Sequence, residues 1–468
     1  MMDAKEKQQV LQDFVHAMKH DWDERARQGA KWFINPPKLQ QSDEEFEASG
    51  RLEIDRLIRA ELSLLTGGRD PKQLRLLEIG CGIGRMTRYL AELFGEVYAT
   101  DVSEEMIRQA QQRLQGIANI RFYETNGCDF AELPSDYFDL AFSAYVYQHV
   151  PSAEVIRASL SDAYRVLKPG GVFKFQVNAI VTFDFEGLEK DTWTGAAFPE
   201  SEIRRFAQEH NAQLVSIFGA GTQYCWATLR KREPGALQRF SMQPRIEFFG
   251  CTDDPQSKTI PLRGDHAYLA LIVSGINRDE VDINTVSVEI DGQEVLPHYL
   301  GPISRIYEPA MKEEFGASLD HLTQIEVRIP IGEPSGNTEV RVRLSQGEVS
   351  APITVELKEP QPIIPKIDTI INAFDYGTEI YASGEKSRLR LYVEGLDETA
   401  DTGNIRLQIG DRIIKPTYVG FLLCNGTHQI DAQLPKGIKP GLTDLKLYFG
   451  NVASPPAQLQ IKSGASSH

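Results

Sequence analysis

Cysteine is scarce in this chain of 468 residues. The five residues Cys81, Cys128, Cys225, Cys251 and Cys424 lie far apart and share no CxxC spacing. That pattern excludes a disulfide framework and a thiolate zinc centre, and it fits reduced thiols in a cytoplasm. Long apolar runs are missing too. No stretch approaches the roughly 18 apolar residues of a membrane span, and "MMDAKEKQQV" has no apolar signal core. A cytoplasmic protein with no membrane partner is expected. Positive charge is in short supply: 50 Lys and Arg face 66 Asp and Glu, a formal balance of −16. Nucleic-acid affinity rests largely on Lys and Arg displacing counterions, so a nucleic-acid partner is not expected. GxSxG, HExxH and EF-hand patterns are absent, which removes the common hydrolase and calcium readings. His16 and His20 stand at i, i+4 without a third ligand, so no metal is expected.

What is present is ordinary globular material, 41% hydrophobic and 25% charged, long enough for two to four domains. Between residues 74 and 231 apolar strand-like runs alternate with helical patterns, as in a doubly wound α/β sheet. Strands are expected at Leu74–Ile79, Glu96–Thr100, Ile120–Glu124, Phe138–Ser143 and Val172–Val177. Helices are expected from near Gly84, Glu104 and Ala153.

The first strand runs into "LLEIGCGIGR", with Gly80, Gly82 and Gly84 at alternate positions. In such sheets ligands sit beyond the carboxyl ends of the strands, and a helix N-terminus there favours polar or anionic groups. The spacing is G-x-G-x-G. Counting for G-x-G-x-x-G ends on Arg85 or Thr87, which disfavours a nicotinamide dinucleotide, and no GK[ST] follows for a P-loop. The second strand ends at Asp101, placed to accept hydrogen bonds from both hydroxyls of a ribose. Asp129, in "NGCDFAELP", follows the third strand, where it can accept from an adenine amino group while Cys128 and Phe130 pack the ring.

With Glu78, the three glycines, Asp101, Asp129 and the turn "RVLKPGGVFKFQV" in order, residues 50 to 231 resemble the class I S-adenosylmethionine-dependent methyltransferases. The resemblance implies a Rossmann-like sheet of seven strands, closed by a hairpin that "AQLVSIFGAGTQYCWATLRK" supplies, and S-adenosyl-L-methionine as cofactor. It places Gly80, Gly82 and Gly84 against the methionine part, with Glu78 and Cys81 in the same loop. It places Asp101 on the ribose beside Val102, Asp129 on the adenine beside Cys128 and Phe130, and Ser143 and Ala144 on the floor. It implies a transferase of class 2.1.1.

Methyl transfer from a sulfonium needs alignment of the acceptor lone pair with the S–CH3 bond, and a base only where the acceptor keeps a proton. "SAYVYQHVPS" follows the fourth strand, making His149 and Tyr145 the catalytic candidates and Tyr147 a substrate contact. His149 equally suits a structural histidine that orients its loop. Asn178 and Trp193 fall after strand five as acceptor contacts or loop anchors. Val10, Phe14, Met18 and Trp22 recur at helical spacing, so residues 1–50 read as a helical lid carrying Trp22 and Arg25 over the site, or as a packing helix.

From about Arg245 the pattern turns to short alternating strands with glycine and proline turns, and it repeats. "NTVSVEIDGQEVLPHYLG" returns as "GNIRLQIGDRIIKPTYVG", pairing Pro297, Tyr299 and Gly301 with Pro416, Tyr418 and Gly420. The block ending "EVSAP" returns ending "VASPP". The first copy carries extra residues at 302–324, either a partner contact or a solvated insertion. The copies resemble immunoglobulin-like sandwiches. The expected plan is a lid at 1–50, a methyltransferase domain at 51–235, and immunoglobulin-like domains at 240–358 and 363–463. Residues 241–468 hold 21 Lys and Arg against 31 Asp and Glu. Binding, spacing or self-association is the expectation for them, with a protein partner or a second copy. The acceptor is expected to be a small molecule or glycan-type metabolite, methylated on O, N or C. The alternatives are a nicotinamide-dependent oxidoreductase and a non-catalytic scaffold with a methyltransferase-like domain.

Overall fold

The fold comes from a computed structural model that describes residues 4–35, 42–179, 192, 195–233, 243–264, 267–330, 332–359, 364–373, 377–384, 386–397, 400–422 and 427–463. The N-terminal segment is helical: α1 (Ala4–Ile34), α2 (Asp43–Ile54) and the short α3 (Leu62–Thr66). Ser42 starts α2 by accepting from the Glu45 N–H while the Glu45 carboxylate accepts from the Ser42 N–H, a reciprocal cap that satisfies two otherwise orphaned donors.

Strands and helices then alternate as β1 (Arg75–Ile79), α4 (Thr87–Leu93), β2 (Glu96–Asp101), α5 (Glu104–Arg113), β3 (Ile120–Glu124), β4 (Phe138–Ser143), α6 (Ala153–Val166), β5 (Leu167–Val177), α7 (Glu200–Glu209), β6 (Ala212–Phe218) and β7 (Cys225–Lys231). Their order in the sheet is β3-β2-β1-β4-β5-β7-β6, with β1 to β5 parallel and β7 antiparallel to both neighbours. The five parallel strands follow the alternation in the sequence, and with β6 and β7 they make the seven-stranded, Rossmann-like α/β arrangement that the resemblance implies, within a sheet that runs on beyond β6. Ser103 and Ser152 cap α5 and α6, which fixes where each helix leaves its strand. On one face Leu76, Val97, Leu140 and Val172 pack with Leu90, Phe94, Ile54 and Ile58. Burying such aliphatic and aromatic side chains stabilises by about 1.5–3 kcal/mol each. The strand order reverses between β1 and β4, so the crevice beyond their carboxyl ends is the ligand position of the fold.

All-β structure follows: β8 (Arg245–Cys251), β9 (Thr259–Pro261), β10 (Tyr268–Ser274), β11 (Val286–Ile290), β12 (Gln293–Val295), β13 (Tyr299–Gly301), β14 (Thr323–Arg328), β15 (Gly336–Leu344) and β16 (Ile353–Lys358). The chain divides into two compact units. Residues 1–249, 270–327 and 339–353 form one, and residues 250–269, 328–338 and 354–468 the other.

Within the first unit β6 is not a free edge. Ser216 pairs with Tyr299 of β13, the Ile217 N–H donates to the His298 carbonyl (2.8 Å), and β13 pairs in turn with β14. Arg204 of α7 donates to the Ile283 carbonyl (3.1 Å) and to Asn284 (2.9 Å), Arg232 pairs with Asp282 (2.9 Å), and Leu64, Val215 and Tyr299 close an apolar cluster. Residues 302–324 fold as a helix, α8 (Glu308–Phe315), whose Tyr307 and Met311 are buried against Ala270, Ile272 and Leu322. Part of the 302–324 insertion is therefore core: the Tyr307 ring fills the space over β10.

In the second unit the strands Lys366–Asn372, Arg388–Glu394, His428–Gln433 and Tyr418–Leu422 form one sheet. Ile380–Tyr381, Ala457–Lys462, Gly441–Phe449, Ile405–Ile409 and Arg412–Ile414 form another. Leu389, Leu391 and Ile430 from the first pack with Leu407, Leu445, Leu447 and Leu459 from the second, which makes a two-layered sandwich. The repeat read in the sequence has a physical basis. In each copy the tyrosine ring folds over the glycine two residues on, Tyr299 over Gly301 and Tyr418 over Gly420, where a Cβ would collide with it. In each, a buried serine receives a strand N–H and donates to the carbonyl of the next residue: Ser350 takes the Val342 N–H (2.9 Å) and donates to Ala351, and Ser454 takes the Leu447 N–H (3.0 Å) and donates to Pro455.

Candidate active site

The three loop glycines all adopt left-handed backbone, with φ of 75° at Gly80, 53° at Gly82 and 83° at Gly84. A side chain is excluded sterically as well. A Cβ on Gly80 would overlap Val146, one on Gly82 would come within 2.8 Å of Ile34, and one on Gly84 within 2.6 Å of Leu114. The loop is tied to the neighbouring strand: the Gly80 and Cys81 N–H groups donate to the Thr100 carbonyl at 2.8 and 2.9 Å. Its centre is tied to Asp101, whose carboxylate accepts from the Gly82 N–H (2.8 Å) and the Ser103 N–H (3.0 Å). The Asp101 carbonyl accepts from Thr125 after β3 (2.9 Å), so three strand ends meet at this residue. Burial pushes the Asp101 carboxyl up to about 6 against the pull of those backbone donors. Each carboxylate oxygen retains a lone pair for a further donor.

Glu78, two residues before Gly80, is almost wholly buried, and neither carboxylate oxygen has a hydrogen-bond partner among the described residues. Burial pushes its carboxyl up to about 7, with the Thr87 hydroxyl working the other way. A buried acceptor without a partner, two residues before a glycine loop and electrostatically coupled to Asp101, suits a site whose polar partner comes from a ligand. The Ser143 hydroxyl, at the end of β4 beside buried Ala144, is likewise unpaired. On the β3 side Asn126 organises the turn, accepting from the Cys128 and Asp129 N–H groups (2.8 and 2.9 Å) and donating to the Asp129 carboxylate (3.0 Å). Phe130 is buried beside it. The residues expected to hold the cofactor, Glu78, Gly80, Cys81, Gly82, Gly84, Asp101, Val102, Cys128, Asp129, Phe130, Ser143 and Ala144, thus occupy the carboxyl ends of β1, β2 and β4 and the loops after β1, β2, β3 and β4, at one end of the sheet.

Helix α1 lies over that end. Ile34 meets Gly82, Met18 meets Gly127, and Asp23 accepts from the Ser103 hydroxyl (2.6 Å) and the Glu105 N–H (3.1 Å) at the start of α5. Lys19 pairs with Glu124 at the end of β3. The Trp22 ring stands edge-on to His149 with centroids 5.4 Å apart, and Arg25 lies over Trp22 while donating to the Thr192 carbonyl (3.1 Å).

The loop after β4 is organised by a residue that sequence reasoning passed over. Gln176 is fully buried in β5; it accepts from the Tyr145 N–H (3.1 Å) and donates to Gln148 (3.1 Å) and to the Gln223 carbonyl (2.6 Å). With its oxygen held by Gln176, the Gln148 amide turns its NH2 toward His149 Nε2 at 3.1 Å. An amide NH2 can only donate, so His149 Nε2 accepts in this contact. The signal in the sequence was a glutamine at the end of the otherwise apolar run "VFKFQV". Tyr145, held at φ 61°, donates to Glu53 (3.0 Å) and accepts from Arg56 (2.8 Å). Tyr147 is not at the site surface: its ring is buried and its hydroxyl pairs with Ser159 (3.0 Å), so it packs α6 onto the sheet rather than meeting a substrate. Asn178 accepts through its carbonyl from the Phe198 N–H (2.7 Å), while Trp193 lies outside the described residues. Arg85, which broke the dinucleotide spacing, is buried near Glu78 and Glu53, and burial pushes its guanidinium below the usual value.

A sheet of this order with this glycine loop, an acid at the end of β2 and a hairpin closure is that of a class I methyltransferase domain, the class whose cofactor is S-adenosylmethionine. The comparisons agree: residues 77–175 match the Methyltransferase domain family. Among curated relatives the chain is 38% identical over 118 residues to malonyl-[acyl-carrier protein] O-methyltransferase of Salmonella typhimurium, covering 25% of this chain and 42% of that protein. It is 32% identical over 114 residues to the putative methyltransferase YqeM of Bacillus subtilis, covering 23% and 44%. The chain therefore spans under half the length of these relatives. Among solved structures, the N-methyltransferase NodS of Bradyrhizobium japonicum with S-adenosyl-L-homocysteine covers 46% of this chain and all of that one, at 21% identity and a TM-score of 0.34.

Proposed function

We propose that this protein transfers the methyl group of S-adenosylmethionine to an O, N or C atom of a small-molecule or glycan-type acceptor. The observation that carries the reading is the buried, unpaired Glu78 carboxylate two residues before a loop of three left-handed glycines whose centre is bonded to Asp101. The bound cofactor would supply a methyl group on a sulfonium, which needs no protein nucleophile. The work left to this chain is to hold, align and exclude water. Asp101 would accept the ribose hydroxyls, the glycines would leave room for the methionine part, and Asp129 and Phe130 would flank the adenine.

Alignment is the main contribution, on the order of 7–11 kcal/mol where two reactants are held in attack geometry. In this reading α1 closes the site from water, and Trp22, Arg25, His149 and Asn178 form the wall the acceptor meets. His149 holds its ring between Trp22 and Gln148 and acts as a positioning residue. Tyr145, fixed between Glu53 and Arg56, sets the loop. Acceptor choice belongs to α1, α2 and the segment after β5, because these lie outside the stretch shared with the relatives. The acidic surface supports a small or neutral acceptor over nucleic acid.

Calorimetric titration with S-adenosylmethionine and S-adenosylhomocysteine, with NAD as control, is the test. Micromolar binding of the first two and none of NAD is expected. Absence of binding in a folded protein would overturn the reading in favour of a scaffold. A pH–rate profile that stays unchanged in His149→Gln while KM rises would separate positioning from proton transfer.

A further inference from the structure

At the other end of the sheet, Arg230 of β7 stands level with Val172, five residues before the end of β5, hence about 16 Å along the strand from the carboxyl-end loops. Its side chain opens into a cavity of about 430 Å³ whose walls come from both the methyltransferase sheet and the strands that continue it. Ser63, Leu64 and Gly67 at the end of α3 form one side, and Arg278, Leu300 and Pro302 the other. The volume lies in the range of small-molecule sites, about 300–1,000 Å³.

Arg230 is half-buried, and among the described residues its guanidinium makes no hydrogen bond or ion pair. A guanidinium partly withdrawn from water and without a hydrogen-bond partner, lining a cavity, favours an anion there. Burial pushes it below its usual value, and Asp279 and Arg278 are the charged groups that act on it. The two carboxylates of the lining, Asp279 and Asp320, are exposed at the rim, where water screens them. The second arginine is set by the first domain's own strand. Gln213 of β6 donates to the Arg278 carbonyl and to the Val281 carbonyl (2.8 Å), which fixes the turn that carries Arg278 to the cavity. Arg278 donates onward to the Asp320 carbonyl (2.9 Å).

We propose that this cavity is a second ligand site, for a small molecule bearing a phosphate or carboxylate that Arg230 and Arg278 clamp from two sides. The site exists only where β7 and the turn after β10 meet, so its occupant would also tie the continuing strands to the methyltransferase sheet. It is independent of the methyl-transfer reading.

The test is calorimetric titration of the full chain with inorganic phosphate and, separately, glycerol 3-phosphate, at ionic strength held constant with KCl. One saturable site is expected, weakened about tenfold or more by Arg230→Gln and by Arg278→Gln and unchanged by Arg245→Gln, since a charge-assisted bidentate contact is worth at least a factor of ten. Tighter binding of glycerol 3-phosphate identifies an organic phosphate; equal binding identifies the bare anion. Without added anion Arg230→Gln should melt no lower than the parent, which shows that lost binding is not lost folding. No saturable binding of either probe at millimolar concentration, or binding that both substitutions leave unchanged, overturns the proposal.

Discussion

Asp101 and Glu78 set the pH behaviour of this site at the scale of single residues. Both carboxyls are raised by burial, to about 6 and about 7 against ordinary values near 4. The folded chain then keeps protons that the unfolded chain has released, so their stabilising effect is complete below about pH 4 and is lost as pH rises through about 6 to 7. Urea midpoints should fall across that window, and Asp101→Asn should flatten the fall. Cofactor affinity should move the opposite way. A ribose hydroxyl donates to a carboxylate, so the dissociation constant for S-adenosylhomocysteine should rise as pH drops below about 6. At pH 8 Asp101→Ala should weaken binding by about ten- to a hundredfold with the fold retained, as measured by titration and circular dichroism. Gly80 makes a steric prediction. Gly80→Ala adds a Cβ against Val146 at φ 75°, and together these should cost about 2–4 kcal/mol in urea unfolding.

At the scale of elements, β5 carries the loop after β4 through one side chain. Gln176→Leu would strip the Tyr145 N–H and the Gln223 carbonyl of their partner and release Gln148. A loss of about 2–4 kcal/mol is expected, because buried polar groups left unpaired cost about 1–3 kcal/mol each. Methyl-transfer turnover should fall more than cofactor affinity does. Much of this end of the sheet was legible beforehand: the glycine spacing, Asp101 at a strand end and the helix starts near Glu104 and Ala153 are local requirements of backbone. Gln176 and the clasp from Asp23 to Ser103 were not, because their partners lie 28 to 80 residues away. Tyr147 was misplaced for the same reason: alternation marks a loop near the site, but only packing decides which of its aromatics turns inward.

At the scale of the molecule, β6 is an interior strand because β13 covers it. A chain ending at residue 233 would present a bare β6 edge and expose Leu64 and Val215, and it should aggregate where the full chain does not. Size-exclusion chromatography with light scattering checks this, and a monomeric, cofactor-binding fragment would contradict it.

The sequence by itself determined the alternation of strands and helices between residues 74 and 231, the glycine loop with its acids, and the repeat, down to the matched proline, tyrosine and glycine in each copy. These follow from local rules: periodicity, left-handed φ and capping act over a few residues and leave marks at fixed spacing. Tertiary structure alone decided that β13 continues the sheet, which contacts hold α1 to the ends of β2 and β3, and that Arg230 and Arg278 share one cavity. Those pairings join residues tens of positions apart, and their energy comes from burial and hydrogen bonds that exist only once the chain is folded.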